Sequence, residues 1–105
     1  MTAPTASSLL VASESRITRR VVEMTFADQH VQVTAATTGE DALKAWHARP
    51  TSVVIADITM DAPNGYTIAH EVRAHQEGRR TAVILLASQN EVVDELAVNR
   101  SRVSA

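Results

Sequence analysis

The stretch VVIADITMDAPNGYTIAHEVR, residues 53–73, holds the arrangement richest in chemistry. An apolar run of strand length, Ser52–Ala56, delivers a carboxylate, Asp57, at its tip. A loop containing Pro63 and Gly65 follows before a helical pattern begins. A carboxylate so presented can act as a nucleophile, and the N–H groups of such a loop can surround an incoming phosphoryl group. On this segment alone, a plain turn or helix-cap role for Asp57 accounts for the pattern equally well.

Other reactive side chains are less well arranged. His70 and His75 are five apart, off the three- and four-residue spacings that share a helix face, and His30 and His47 lie far from both in sequence. The four histidines are expected to be solvated. Ser13, Ser15 and Ser88 have no base placed beside them by any motif, so a serine hydrolase is not supported. The chain has no cysteine, which excludes disulfides, thiolate zinc sites and thiol nucleophiles. Arg16, Arg19, Arg20 and the pair Arg79–Arg80 read as solvated basic positions.

The elements that position Asp57 follow from hydrophobic patterning. Apolar runs at Leu9–Ala12, Val31–Ala36, Ser52–Ala56 and Ala82–Ala87 have the length and branched content of strands, and the last two are apolar throughout, as strands covered on both faces are. Between them lie helical patterns. Ser15–Gln29 carries Ile17, Val21 and Met24 at helical spacing. Thr38–Ala48 opens on an N-cap signal, Thr38 followed by Asp41, turns Ala42, Ala45 and Trp46 inward, and stops at Pro50. Gly65–Gln76 has Ile68, Ala69 and Val72 as its stripe and ends before Gly78; Glu91–Val103 is amphipathic through Val92, Val93, Leu96 and Val103. Strands alternating with helices imply right-handed βαβ units and a mostly parallel sheet, with chemistry at the strands' carboxyl ends.

Composition bounds the rest. A chain of 105 residues supports one core, and 45% apolar with 21% charged residues fits a globular domain. A net charge of −2 gives no electrostatic footprint for nucleic acid. The longest apolar run, Ala82–Ala87, is too short for a membrane span, and residues 1–8 lack a signal peptide's basic start. That N-terminal segment is small, polar and Pro-containing, so it is expected to be a flexible tail before a domain at 9–105, with a cytoplasmic location.

Several strings together resemble the receiver domain of CheY-like response regulators in two-component signalling. Val53–Asp57, Met60 and Gly65 match that family's apolar strand, Asp, Met and Gly, with Asp61 where Pro is usual. Gly39, Glu40, Ala42 and Leu43 echo the start of its second helix, and AVILLAS echoes its fourth strand. The likeness runs from about residue 9 to 103.

The resemblance implies an α/β, flavodoxin-like doubly wound parallel sheet in order 2-1-3-4, with the family's fifth strand and fifth helix absent after helix four. It makes Asp57 the phospho-acceptor. The family's acidic pair, which holds Mg²⁺, falls on Ala12 and Ser13, leaving Glu14 as the nearby carboxylate. The switch hydroxyl falls on Ala87, with Ser88 one residue later, and the family's lysine after strand five has no counterpart. Mg²⁺ is therefore expected to bind weakly, through Asp57, Glu14 and the carbonyl of Thr59. No residue is assigned a catalytic role of its own.

The leading expectation is a non-enzymatic, atypical receiver-like module that acts through protein–protein contacts, with Asp57 as phospho-acceptor. Its partners would be a sensor histidine kinase or another signalling protein, and a second copy of the chain meeting it through strand four or helix four. Neither nucleic acid nor membrane is expected to bind. A second expectation is a working receiver using Glu14 and Ser88 as substitutes. A third, a small α/β enzyme, is disfavoured because Ala12-Ser13-Glu14-Ser15 is no Gly-rich phosphate loop.

Overall fold

The computed structural model describes residues 7–61 and 63–87. The elements run β1 (Ser7–Ala12), α1 (Arg16–Thr25), β2 (Val31–Ala36), α2 (Gly39–Ala48), β3 (Val53–Asp57), α3 (Gly65–Ala74), a 3-10 turn at Gln76–Arg80, and β4 (Ala82–Leu86). All strand pairs are parallel, in the order β2-β1-β3-β4. This is the flavodoxin-like architecture and strand order that the sequence led us to expect. The helix expected at Glu91–Val103 lies outside the described residues.

Register divides the strand residues between two layers. Leu10, Val54 and Val83 stand in one row across the sheet, and with Ala12, Ala56 and Leu85 they meet α2 and α3 through Ala42, Trp46, Ile68, Ala69 and Val72. Leu9, Val11 and Ile55 point the other way, against Val22 and Phe26 of α1. Among the described residues, one core is thus closed by two helices and the other by one. Each fully buried Leu, Ile or Val contributes roughly 1.5–3 kcal/mol relative to its exposed state. Leu10, Val54, Ile68, Val72 and Val83 make the α2–α3 layer the stronger half.

The helix ends follow local chemistry. Ser15, Thr38 and Asn64 cap α1, α2 and α3, each side chain accepting the N–H three residues on. Such caps contribute about 1 kcal/mol each. The 3-10 turn after α3 is gathered by Arg73, whose Nη1 donates to the carbonyls of Gly78 at 2.8 Å, of Arg79 at 3.3 Å and of Thr81. Gly78 packs so close to α3 that a Cβ there would lie 1.7 Å from the Val72 oxygen.

Two expectations are corrected. Ser7 and Ser8, assigned to the tail, are the first residues of β1 and pair with Val31 and Gln32; residues 1–6 of that tail lie outside the described residues. In α1 the stripe Ile17, Val21 and Met24 faces outward, exposed at 76, 56 and 64%. Val22, one position on from Val21, and the C-cap residue Phe26 pack against the sheet instead. The choice is set from the N-terminal end: Ser15 caps the helix, and Arg19 Nη1 donates to the Ser13 carbonyl at 2.7 Å, which fixes the rotation. One residue of rotation is about 100°, enough to exchange the two stripes.

Candidate phosphoryl-transfer site

Asp57 is the last residue of β3, a central strand, and is half-buried at its carboxyl end. The chain then turns back over the sheet. Ile58 N–H extends the ladder to the Leu86 carbonyl at 3.0 Å, and Ile58 and Met60 are buried, so the loop is held by its own apolar residues. Asn64 Oδ1 accepts from Thr67 N–H at 3.0 Å and starts α3 at once. Gly65 must lack a side chain, because a Cβ there would sit 2.4 Å from the Asp57 carbonyl oxygen. The Gly eight residues after the Asp is therefore a packing requirement that brings α3 against the end of β3. Gly39 plays a similar part for α2, with any Cβ falling 1.9 Å from the Pro63 oxygen.

The end of β1 supplies the neighbours. Ser13 is fully buried, and its Oγ donates to Asp57 Oδ2 while accepting the Ser15 N–H at 3.0 Å. Its backbone N–H is tied to the Ala36 carbonyl at 3.1 Å, and its own carbonyl takes the Arg19 guanidinium. Four bonds thus hold Ser13 in place under the carboxylate. Glu14 is exposed and reaches across the β3–α3 loop, where its Oε2 accepts the Asp61 N–H at 3.1 Å. A proline at 61 has no N–H to give, so the departure at Asp61 is what lets Glu14 be tethered there.

The residues singled out from sequence fall as follows. Asp57, Ser13 and Glu14 belong to one corner, at the carboxyl edge of β1 and β3. Thr59 lies exposed in the turn after β3, and Ala87 is exposed just beyond β4. Ser88 lies outside the described residues. His30 is exposed with φ 57°, in the turn before β2, and His70 is exposed on α3. His47 and His75 are exposed, as expected, and their rings meet with centroids 4.5 Å apart.

Comparison with known proteins shows the family and the fold. The model of the response regulator receiver domain matches residues 9–103. The chain belongs to that family. Receiver relatives include a probable transcriptional regulator, ycf27, of Guillardia theta, 27% identical over 92 residues; the match takes in 88% of this chain but only 35% of that relative's length. The chemotaxis protein CheY4 of Vibrio cholerae superposes with a TM-score of 0.85 at 20% identity, over 95% of this receiver and 83% of the other chain. The receiver domain of sensor histidine kinase PA1611 from Pseudomonas aeruginosa, solved with magnesium in its active-site cleft, superposes with a TM-score of 0.75 at 21% identity, over 88% of this chain and 75% of that one. These structural likenesses establish the fold. Among the described residues, no helix is long and apolar enough to cross a membrane.

Proposed function

We propose that this receiver is an atypical signalling module in which Asp57 accepts a phosphoryl group only weakly and protein–protein contact carries the output. The observation behind this reading is the buried Ser13 hydroxyl bonded to the Asp57 carboxylate, where the family resemblance calls for a metal-binding carboxylate. A hydroxyl neither attracts Mg²⁺ as a carboxylate does nor leaves Asp57 wholly free.

The residues present fit the ion with a reduced donor set. Asp57 and Glu14 would hold it, together with the Thr59 carbonyl, and water and phosphate oxygens would fill the remaining positions. Each carboxylate has about four lone-pair sites, so the single bonds from Ser13 and Asp61 leave room for a cation. The ion would neutralise charge on the transferring phosphoryl group. The chain's own part is to aim Asp57 by the Ser13 bond and to shape the loop by the close Gly65 contact. Each preorganised charge partner lost from such a site weakens transition-state stabilisation by about 2.7–4 kcal/mol.

A second reading, a working receiver, is favoured by the tethering of Glu14 beside the loop, which suits it as a substitute ligand. The partners proposed are a sensor histidine kinase or another signalling protein in the cytoplasm, and a second copy of this chain. Titration with Mg²⁺ and beryllofluoride, followed by amide NMR, tests the first reading. It requires no saturation at low-millimolar Mg²⁺ and no response in Asp57→Asn. Saturation in that range at Asp57 would select the second.

A further inference from the structure

The amino ends of the strands carry a second group of donors, remote from Asp57. The last turn of α2 brings His47 beside α3, whose residue Glu71 lies four positions before His75. One ligand atom from each of His47, Glu71 and His75 lies within 4.8 Å of the other two. His47 and His75 are exposed and Glu71 is half-buried.

This trio is built rather than incidental. Trp46, buried to 1% exposure, stands edge-on to the His47 ring at 5.5 Å and against the His75 ring at 6.0 Å. The indole therefore forms a rigid floor for both imidazoles. His75 is also fixed through its backbone: its N–H donates to the Val72 carbonyl at 3.2 Å, and its carbonyl accepts the Gly78 N–H at 3.0 Å. Gly78 in turn tolerates no side chain, so the turn bearing His75 has one position against α3.

We propose that His47, Glu71 and His75 form a transition-metal site of the zinc class, joining the carboxyl end of α2 to that of α3. Two imidazole nitrogens and a carboxylate oxygen are zinc ligands, and three protein donors leave the fourth position to water. Imidazole suits zinc, copper and nickel, whereas magnesium and calcium prefer all-oxygen sets, so this site and the Asp57 corner select different ions. Tetrahedral donors about 2.0–2.1 Å from zinc lie about 3.4 Å from one another. The donor atoms lie within 4.8 Å of one another, so binding calls for a closer approach, and two of the three side chains, His47 and His75, are exposed and have room to adjust.

The test uses the tag-free chain and Co²⁺, whose visible absorption reports four-coordination, with Zn²⁺ as the competitor and calorimetry for stoichiometry. One equivalent of Co²⁺ should bind and be displaced by one equivalent of Zn²⁺. His47→Ala and Glu71→Gln should each weaken Zn²⁺ binding by more than about tenfold, the loss that removal of even an outer-sphere partner produces. His47 is exposed on a helix that alanine favours, so circular dichroism of His47→Ala should match the parent and separate lost binding from lost folding. Asp57→Asn should retain the site. Binding that survives both His47→Ala and Glu71→Gln, binding that disappears in Asp57→Asn, or failure of Co²⁺ to bind stoichiometrically would each overturn the proposal.

Discussion

Replacing Ser13 by Asp should make the stability of this receiver depend on Mg²⁺. Ser13 is fully buried and its hydroxyl donates to Asp57, so the substitution removes a bond to a charged group, which contributes about 1.5–3 kcal/mol. It also sets two carboxylates against each other. At about 4 Å and an effective dielectric constant of about 20, two like charges repel by about 4 kcal/mol, an upper figure here because Asp57 is only half-buried and water screens it. Metal-free Ser13→Asp is therefore expected to lose about 2–4 kcal/mol, which for a domain of this size lowers the melting temperature by roughly 10–20 °C. A divalent cation between the carboxylates reverses the sign of the effect. At a hundred times its dissociation constant, bound Mg²⁺ restores about 2.7 kcal/mol. The assay is thermal unfolding of parent and variant, with EDTA and then with a rising series of Mg²⁺ concentrations. A variant as stable as the parent in EDTA, or one whose melting point ignores Mg²⁺, would refute the reasoning.

Further outcomes are expected. Gly65→Ala drives a Cβ to 2.4 Å from the Asp57 carbonyl, and as that obstacle is backbone the loss should approach the upper end of about 1–3 kcal/mol for overpacking, read by urea unfolding. Arg73→Met deletes the donor to three carbonyls of the 3-10 turn, so hydrogen exchange of Gly78 and Thr81 amides should quicken before that of the α2–α3 core. Among the described residues β4 is an edge strand with half-buried Ile84, Leu85 and Leu86, so light scattering should show mass rising with concentration; a monomer throughout would discard this edge as an association surface.

The sheet was legible because strand and helix signals are local. Runs such as Val53–Asp57 need no partner to be recognised, and the Thr38 and Asp41 pair marks the start of α2 within a residue. The rotation of α1 was not legible, since apolar residues stand on both sides of the helix and the outcome rests on contacts distant in the chain, Val22 and Phe26 against the sheet, together with the bond from Arg19 to the Ser13 carbonyl. The Ser13 bond to Asp57 spans 44 positions, so no spacing rule links the two; it was the family resemblance, which sets Ser13 at the metal-binding corner, that placed them side by side. The donor trio mixes histidine with glutamate and draws on two helices, so histidine spacing alone does not reveal it. Glu71 and His75 stand four apart, a same-face signal visible in the chain, but the meeting with His47 depends on how α2 packs beside α3.

The parallel sheet also fixes how this chain must assemble. Among the described residues, no strand pairs with one that a tight hairpin could bring to it: Ser7 pairs with Val31, Leu9 with Val53, and Val53 with Ala82. Every stretch of sheet therefore waits on the closure of a long loop, which places the chain among slow folders for its size. Loop length alone hardly ranks the steps. Joining β1 to β3 instead of to β2 costs less than about 0.6 kcal/mol more, the increment for a doubled loop. Buried side chains decide instead, and β3 brings Val54, Ile55 and Ala56 fully into the cores where β2 brings only Ala36. The nucleus is thus expected to form from β1 and β3 with α3 laid across them, and β2 with α1 to join it later.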